Sequence, residues 1–192
     1  MGEVQLITKS GSSDDPIRIA VFFSGSGTGM NALLEHQNKS QCIHKTIVCI
    51  TDKKDAGGIK YAEQHEVPVV IETVNANLPV EERRQEHEQR ISKHLEEANI
   101  DLIVLSGYMR LLSAEFVERH YPQIINIHPS LLPAFPGKDA HKDVLQSGVR
   151  VSGCTVHVVD VGMDTGPILA QRRVPVFSTD TRAQLAKRVQ VE

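Results

Sequence analysis

Three side chains able to move a proton or polarise a carbonyl stand where apolar runs give way to loops. Asn126 and His128 are two residues apart at the end of the run IINI, Ile124 to Ile127, a spacing that points both the same way from a strand. An amide donor next to a group that titrates near neutrality suits oxyanion stabilisation and proton movement. The plainer reading of His128 is a structural hydrogen-bonder at a strand end. Asp164 lies in Met163-Asp164-Thr165-Gly166-Pro167. A carboxylate there could orient the His128 ring and favour its charged form, or simply start the turn before Gly166-Pro167. The set has the parts for polarising a carbonyl, stabilising an oxyanion and moving a proton, and contains no Ser or Cys nucleophile motif such as G-x-S-x-G.

A second group of residues offers backbone rather than side-chain chemistry. The run IRIAVFF leads straight into Ser24-Gly25-Ser26-Gly27-Thr28-Gly29 and then a helical pattern. Free N–H groups and the positive end of a helix can hold an anion at such a place. A tight strand-to-helix turn that binds nothing is the alternative. The dinucleotide fingerprint would require Gly at Met30, and no G-x-x-x-x-G-K-[ST] occurs, so NAD and ATP lose support.

The elements that must position these residues are short apolar runs alternating with helix-period segments. Strands are expected at Ile17 to Phe23, Thr46 to Thr51, Val67 to Ile71, from Asp101, at Ile124 to Ile127, from Cys154 and from Ile168. Helices are expected at Met30 to Gln37, Gly58 to Glu66, Val80 to Ala98, Ala114 to His120, Asp139 to Ser147 and from Arg182 to the end. Continuous apolar strands alternating with helices define an α/β fold with a mostly parallel sheet of about seven strands. In the charged segment EERRQEHEQRISKHLEEA, Ile91, Leu95 and Ala98 share one face, and the charges are read as a solvated surface. Residues 1–16 are expected to form a flexible tail. Residues 17–192 then form one domain, whose last helix is read as cut short at Glu192.

Composition excludes several function classes. With 192 residues, 40% hydrophobic and 23% charged, the chain can hold a core without disulfides or structural metal. Its 21 basic against 24 acidic residues, a net charge of −3, give no footprint for nucleic acid or an anionic membrane. No apolar stretch approaches a membrane span, and the first residues lack a signal core or basic presequence. The Met-Gly start has no Ser or Thr at position 6, which weakens a myristoylation signal. Cys42, Cys49 and Cys154 are odd in number, lack C-x-x-C spacing and suit a reducing cytosol. The nine histidines form no zinc spacing, so no metal site is expected.

Several segments together resemble the phosphoribosylglycinamide formyltransferases, folate-dependent enzymes of purine (IMP) biosynthesis. They are FFSGSGT, ITDKKDAGG, DLIVLSGYMRLLS, INIHPSLLPAFPGKDAH, VSGCTVHVVDVGMDTGPILAQ and VPV, in the family's order and spacing over almost all of 17–192. The resemblance implies a Rossmann-like fold, 5'-phosphoribosylglycinamide as substrate and 10-formyltetrahydrofolate as cosubstrate. It implies catalytic roles for Asn126, His128 and Asp164, with the substrate amine attacking the formyl carbon directly. Gly25, Ser26, Gly27, Thr28 and Gly29, following Ser24, align with the family's phosphate loop. Met109, Arg110, Leu111, Leu112, Met163 and Arg84 align with folate-binding positions. For Met109 to Leu112 the residues alone suggest a helix entry with apolar core residues. The implied partners are these small molecules, in a cytoplasmic monomer or homodimer, without metal, membrane or nucleic acid.

Three departures accompany the resemblance. Gly29 stands where the family commonly has Asn, leaving only backbone donors there. The surroundings of Arg84 differ from the family's S-R-E pattern. The chain ends before the position of a family Glu that holds the ribose. Formyltetrahydrofolate deformylase usually carries an additional amino-terminal domain and His-His-Ser in the catalytic loop, where this chain has His128-Pro129-Ser130. Methionyl-tRNA formyltransferase would need a further domain and a basic face. A non-catalytic phosphate- or pterin-binding module is the reading from outside enzymology.

Overall fold

A computed structural model describes residues 9–39 and 41–192, and two compact units emerge, Met1–Ile124 and Ile125–Glu192. Half of the flexible tail expected at residues 1–16, residues 1–8, lies outside the described residues. In the rest of that segment Lys9 pairs with Asp15 at 2.6 Å and Asp101 at 3.5 Å.

The first unit holds β1 (Ile17–Phe23), α1 (Thr28–Gln37), β2 (His44–Thr51), α2 (Ile59–Gln64), β3 (Val69–Ile71), α3 (Val80–Glu97), β4 (Leu102–Leu105) and α4 (Ala114–His120). Its strands run in the order β3-β2-β1-β4 with parallel pairing. Ala20 to Phe23 in β1 and Cys49 in β2 have no exposed surface, which accounts for their uninterrupted apolar sequence. Burial pushes the Cys49 thiol up to about 12, so it behaves as a core residue. Chain order runs outward from β1 to β2 and β3, then returns to β4 on the other side of β1. The loops after β1 and β4 therefore meet at a topological switch point, where open parallel sheets bind ligands.

Helix α3 buries His87, Glu88, Ile91, Ser92 and Leu95, a stripe repeating every three to four residues. Ile91 and Leu95 face inward as their spacing predicts. His87 and Glu88 extend the stripe because each finds a partner. His87 Nε2 lies 2.7 Å from the Glu72 carbonyl, and Glu88 accepts the Ser113 amide at 2.7 Å and its hydroxyl. Ser113 in turn caps α4 by accepting the Phe116 amide at 3.1 Å.

The second unit contains all but the first residue of β5 (Ile124–His128), with α5 (Ala140–Ser147), β6 (Val151–Val158), β7 (Ile168–Pro175) and α6 (Arg182–Val189). Strands β5, β6 and β7 pair antiparallel, in that order. Its core gathers Val144, Val174, Leu185 and Val189. A capping box between Thr181 and Gln184 starts α6. The seven strands of a mostly parallel, Rossmann-like α/β fold are all present, with antiparallel pairing in β5-β6-β7. Strand β6 begins three residues before Cys154. Ser152-Gly153 has the composition of a turn but pairs with Val174 and Arg173 in the ladder.

Gly153 is required by close approach. A Cβ there would stand 1.8 Å from the Arg172 carbonyl oxygen. Gly25, by contrast, has nothing within 4 Å of such an atom. We expect Gly153→Ala to lower stability by about 1–3 kcal/mol and Gly25→Ala to change it by less than about 0.5 kcal/mol. Urea midpoints measure both, and equal midpoints for the two variants would refute the packing argument.

Candidate active site

The period of β5 puts Asn126 and His128 on one face, and the β6 register sets His157 opposite Asn126 and Thr155 opposite His128. His128 is 4% exposed and His157 2%. Asp164 reaches this pair from the loop between β6 and β7. Its Oδ2 lies 3.4 Å from His128 Nδ1, and its Oδ1 lies 3.5 Å from His157 Nε2. The carboxylate also accepts the Gly137 amide at 2.7 Å. Asn126 Nδ2 is 3.2 Å from His157 Nε2.

Each imidazole has its far nitrogen committed to a backbone carbonyl. His128 Nε2 donates to the Phe135 oxygen at 2.9 Å, and His157 Nδ1 donates to the Val158 oxygen at 2.9 Å. A carbonyl only accepts, so these nitrogens carry the protons and fix both tautomers. The remaining nitrogens face Asp164. That of His157 lies near both the carboxylate and the Asn126 amide group. That of His128 faces only the carboxylate, a contact that is favourable with a proton on Nδ1 and repulsive between two lone pairs without one. At 3.4 Å the contact is an ion-pair distance longer than a good hydrogen bond.

Side-chain hydrogen bonding from His157 leads the forces that lower the Asp164 carboxyl to about 2. Burial opposes it, and the Gly137 amide and both histidine charges add to it. Asp164 holds a left-handed backbone, φ 56°, a conformation that Asp tolerates better than most residues. The turn reading of this segment is thus also correct. Asp160 accepts from Gly162 N at 3.1 Å and the Thr165 hydroxyl at 2.8 Å, and a Cβ at Gly166 would stand 1.9 Å from the Val158 oxygen.

The Pro-rich loop after β5 is fastened to the neighbouring strands. Ser130 donates to the carbonyls of Ala134 at 2.6 Å and Phe135 at 3.0 Å. Thr155 on β6 donates to the Ser130 carbonyl at 2.6 Å and accepts the Leu132 amide at 3.0 Å. Gln171 on β7 donates to the Leu132 carbonyl at 2.8 Å. The Phe135 carbonyl that orients His128 is thus also held by Ser130, which Thr155 holds in turn. Beside Asp164 a cavity of about 210 Å³ is lined by Leu132, Pro133, Pro136, Met163, Thr165 and Ile168. Met163 is exposed at its edge, within 3.7 Å of a Cβ built on Gly137.

In the first unit the glycine loop is ordered by Ser24, which is buried. Its hydroxyl donates to Asp52 at 2.6 Å and accepts the Met109 amide at 2.9 Å. Gly27 has φ 70° and would place a Cβ 2.5 Å from the Gly58 Cα, so two glycine turns pack backbone to backbone. Gly58 N donates to the Gly25 carbonyl at 3.0 Å. No side chain caps α1, whose first N–H groups beside Ser26, Thr28 and Gly29 remain available to an anion. At Gly29 a Cβ would come within 2.6 Å of the Ser106 hydroxyl. That hydroxyl fills the space that a larger residue would need.

Met109, Arg110, Leu111 and Leu112 lie in the loop after β4, at the switch point. Met109 is 62% exposed and Leu111 63%, so they are not the core residues that the apolar pattern suggests. Arg84 is exposed on α3 and makes no side-chain hydrogen bond or ion pair among the described residues, so the structure brings it to no cluster. A larger cavity of about 320 Å³ in this unit is lined by Asn99, Ile103 and His120. It opens at the amino end of β4, away from the end where parallel sheets bind ligands. Sequence reasoning passed over two residues. His157 was legible only through the β5–β6 register, and Ser106 only through its approach to Gly29.

Comparison with known proteins assigns the chain to a family. The formyl transferase family profile matches residues 17–192. The phosphoribosylglycinamide formyltransferase of Bacillus subtilis is 37% identical over 90% of this chain and 86% of its own length. The trifunctional purine biosynthetic protein adenosine-3 of Gallus gallus is 40% identical over 90% of this chain, which spans only 17% of that larger protein. The crystal structure of glycinamide ribonucleotide transformylase 1 from Symbiobacterium toebii superposes with a TM-score of 0.86 at 39% identity, covering 92% of this chain and 81% of that one. A match of this extent, over both units, makes the chain a member of the formyl transferase family, alongside the phosphoribosylglycinamide formyltransferases.

Proposed function

We propose that this protein transfers the formyl group of 10-formyltetrahydrofolate to the amine of 5'-phosphoribosylglycinamide, in purine biosynthesis. The observation that carries the reading is the Asp164 carboxylate facing two imidazoles whose other nitrogens are fixed by carbonyls. Residues 17–192 act as one formyltransferase domain. Gly25, Ser26, Gly27, Thr28 and Gly29 take the substrate phosphate on backbone donors. Met109, Arg110, Leu111, Leu112 and Met163 contact the folate, with Arg84 nearer its tail. The protein works in the cytoplasm as a monomer or homodimer on small molecules, without nucleic acid or a catalytic metal. Among the described residues no helix is long and apolar enough to cross a membrane.

The substrate amine attacks the formyl carbon, and the carbonyl electrons move to oxygen. His128, protonated at Nδ1 beside Asp164, and the Asn126 amide stabilise that oxyanion. As the carbonyl re-forms, the bond from carbon to the folate nitrogen breaks. The proton lost by the amine passes to that nitrogen, with Asp164 ordering the relay through water. No acyl-enzyme forms, in keeping with the absence of an activated Ser or Cys in the cluster. His157 acts as a positioning residue that holds Asp164.

A spectrophotometric folate assay tests the reaction. Tetrahydrofolate is expected from 10-formyltetrahydrofolate only when the nucleotide is present. Release without nucleotide would establish a deformylase instead, and ligand binding without turnover would establish a binding module. His128→Ala is expected to lower kcat/KM by about 10²–10⁴-fold while phosphate-ligand binding stays within about twofold. Undiminished turnover would remove His128 from the mechanism.

Asp164→Asn preserves shape and tolerates the left-handed backbone. It is expected to reduce kcat by roughly 10²-fold or more, and it also alters stability. A carboxyl lowered to about 2 on folding stabilises the protein above the unfolded value near 4 and loses that effect as pH falls toward about 2. The variant is therefore expected to be less stable than the parent by on the order of 2 kcal/mol at pH 7. Denaturation series should show the gap closing between about pH 4 and pH 2. A gap independent of pH would show that the carboxylate charge contributes nothing.

A further inference from the structure

His36, Cys42 and His44 form a group that the formyl-transfer reading does not use. His36 lies in the last turn of α1, Cys42 follows in the connecting turn, and His44 opens β2. One candidate ligand atom from each lies within 4.8 Å of the others. Cys42 Sγ is 3.8 Å from His36 Nδ1, 3.3 Å from His44 Nδ1 and 3.7 Å from His44 Nε2. The two rings stack at 5.4 Å with planes 8° apart. Among the described residues this is the one such convergence of three His, Cys, Asp or Glu side chains.

The spacing fits a single ion. Bond lengths of about 2.3 Å to sulfur and about 2.0–2.1 Å to nitrogen in a tetrahedron put sulfur and nitrogen roughly 3.5 Å apart. The observed sulfur–nitrogen separations fall on both sides of that value. One thiolate with two imidazoles is a borderline-soft donor set suited to zinc. His36 is exposed while Cys42 and His44 are half-buried, so water can reach a fourth position. The Cys42 thiol, now 3.4 Å from the His44 carbonyl, would give up its proton to solvent on metal binding.

The local backbone brings the three together. Gln41 takes a left-handed conformation, φ 68°, and the Cys42 amide donates to the Lys39 carbonyl at 3.3 Å. No familiar zinc motif has the order H-x5-C-x-H, and for that reason the sequence expectation of no metal site did not anticipate this group. His44 pairs with Ile17 at the start of β1, whereas the glycine loop follows Phe23 at the other end. Seven residues at roughly 3.3 Å each separate the cluster from that loop by about 20 Å.

We propose that His36, Cys42 and His44 bind one zinc ion with water as fourth ligand, clipping the end of α1 to the start of β2. The site is structural and independent of formyl transfer. The whole chain, stripped of metal by a chelator, is titrated with Co²⁺ as a spectroscopic probe and then with Zn²⁺. One equivalent of Co²⁺ is expected to produce thiolate-to-cobalt charge-transfer absorption that Zn²⁺ abolishes. Cys42→Ser should lose the absorption and Cys154→Ser should keep it, while His36→Ala and His44→Ala weaken Zn²⁺ binding at least tenfold. Zn²⁺ should raise the unfolding midpoint of the parent and leave that of Cys42→Ser unchanged. Unchanged formyl transfer in Cys42→Ser shows that this variant is folded. Failure of the parent to bind, or binding that survives Cys42→Ser or both histidine substitutions, overturns the proposal.

Discussion

The contact on which the second unit depends is the carboxylate of Asp164 set between two buried imidazoles. Burying a charge costs free energy unless opposite charge or hydrogen bonds replace the lost water. Here the Gly137 amide, His157 and His128 supply that replacement, and the carboxyl falls to about 2 as a result. Two carbonyls, from Phe135 and Val158, decide which nitrogen of each ring faces the carboxylate. The cluster is therefore preorganised by backbone as much as by side chains.

Keeping those carbonyls in place is a mechanical task. The loop after β5 carries three prolines, and its Ser130 and Leu132 backbone groups are tied by Thr155 and Gln171 to strands β6 and β7. Close approach at Gly153 and Gly166 allows the strands and the Asp164 turn to sit where these bonds require. In the first unit Ser24 has the corresponding task, joining the glycine loop to Asp52 on one side and to the Met109 loop on the other. Both loops lie at the switch point between β1 and β4, so the order of strands, more than any single motif, places them together.

Much of this was legible along the chain. Apolar runs such as IRIAVFF and the helical spacing of Ile91 and Leu95 identify their elements, because burial on one or two faces imposes a local period. The same period places Asn126 and His128 on one side of β5. The apolar pattern of Met109 to Leu112 was a poorer guide, since an exposed hydrophobic residue in a loop and a buried one in a core are written with the same letters.

By itself, then, the sequence determined the α/β alternation, the glycine loop, the residue types of the Asn126, His128 and Asp164 set and the family resemblance. These depend on local periodicity and on contiguous motifs. Only the tertiary structure decided that His157 shares Asp164, that the Phe135 carbonyl orients His128, that Ser106 fills the space beside Gly29, and that His36 and His44 flank Cys42. Register between strands and the path of a turn bring these atoms within a few ångströms, and neither is encoded in the spacing of the residues concerned.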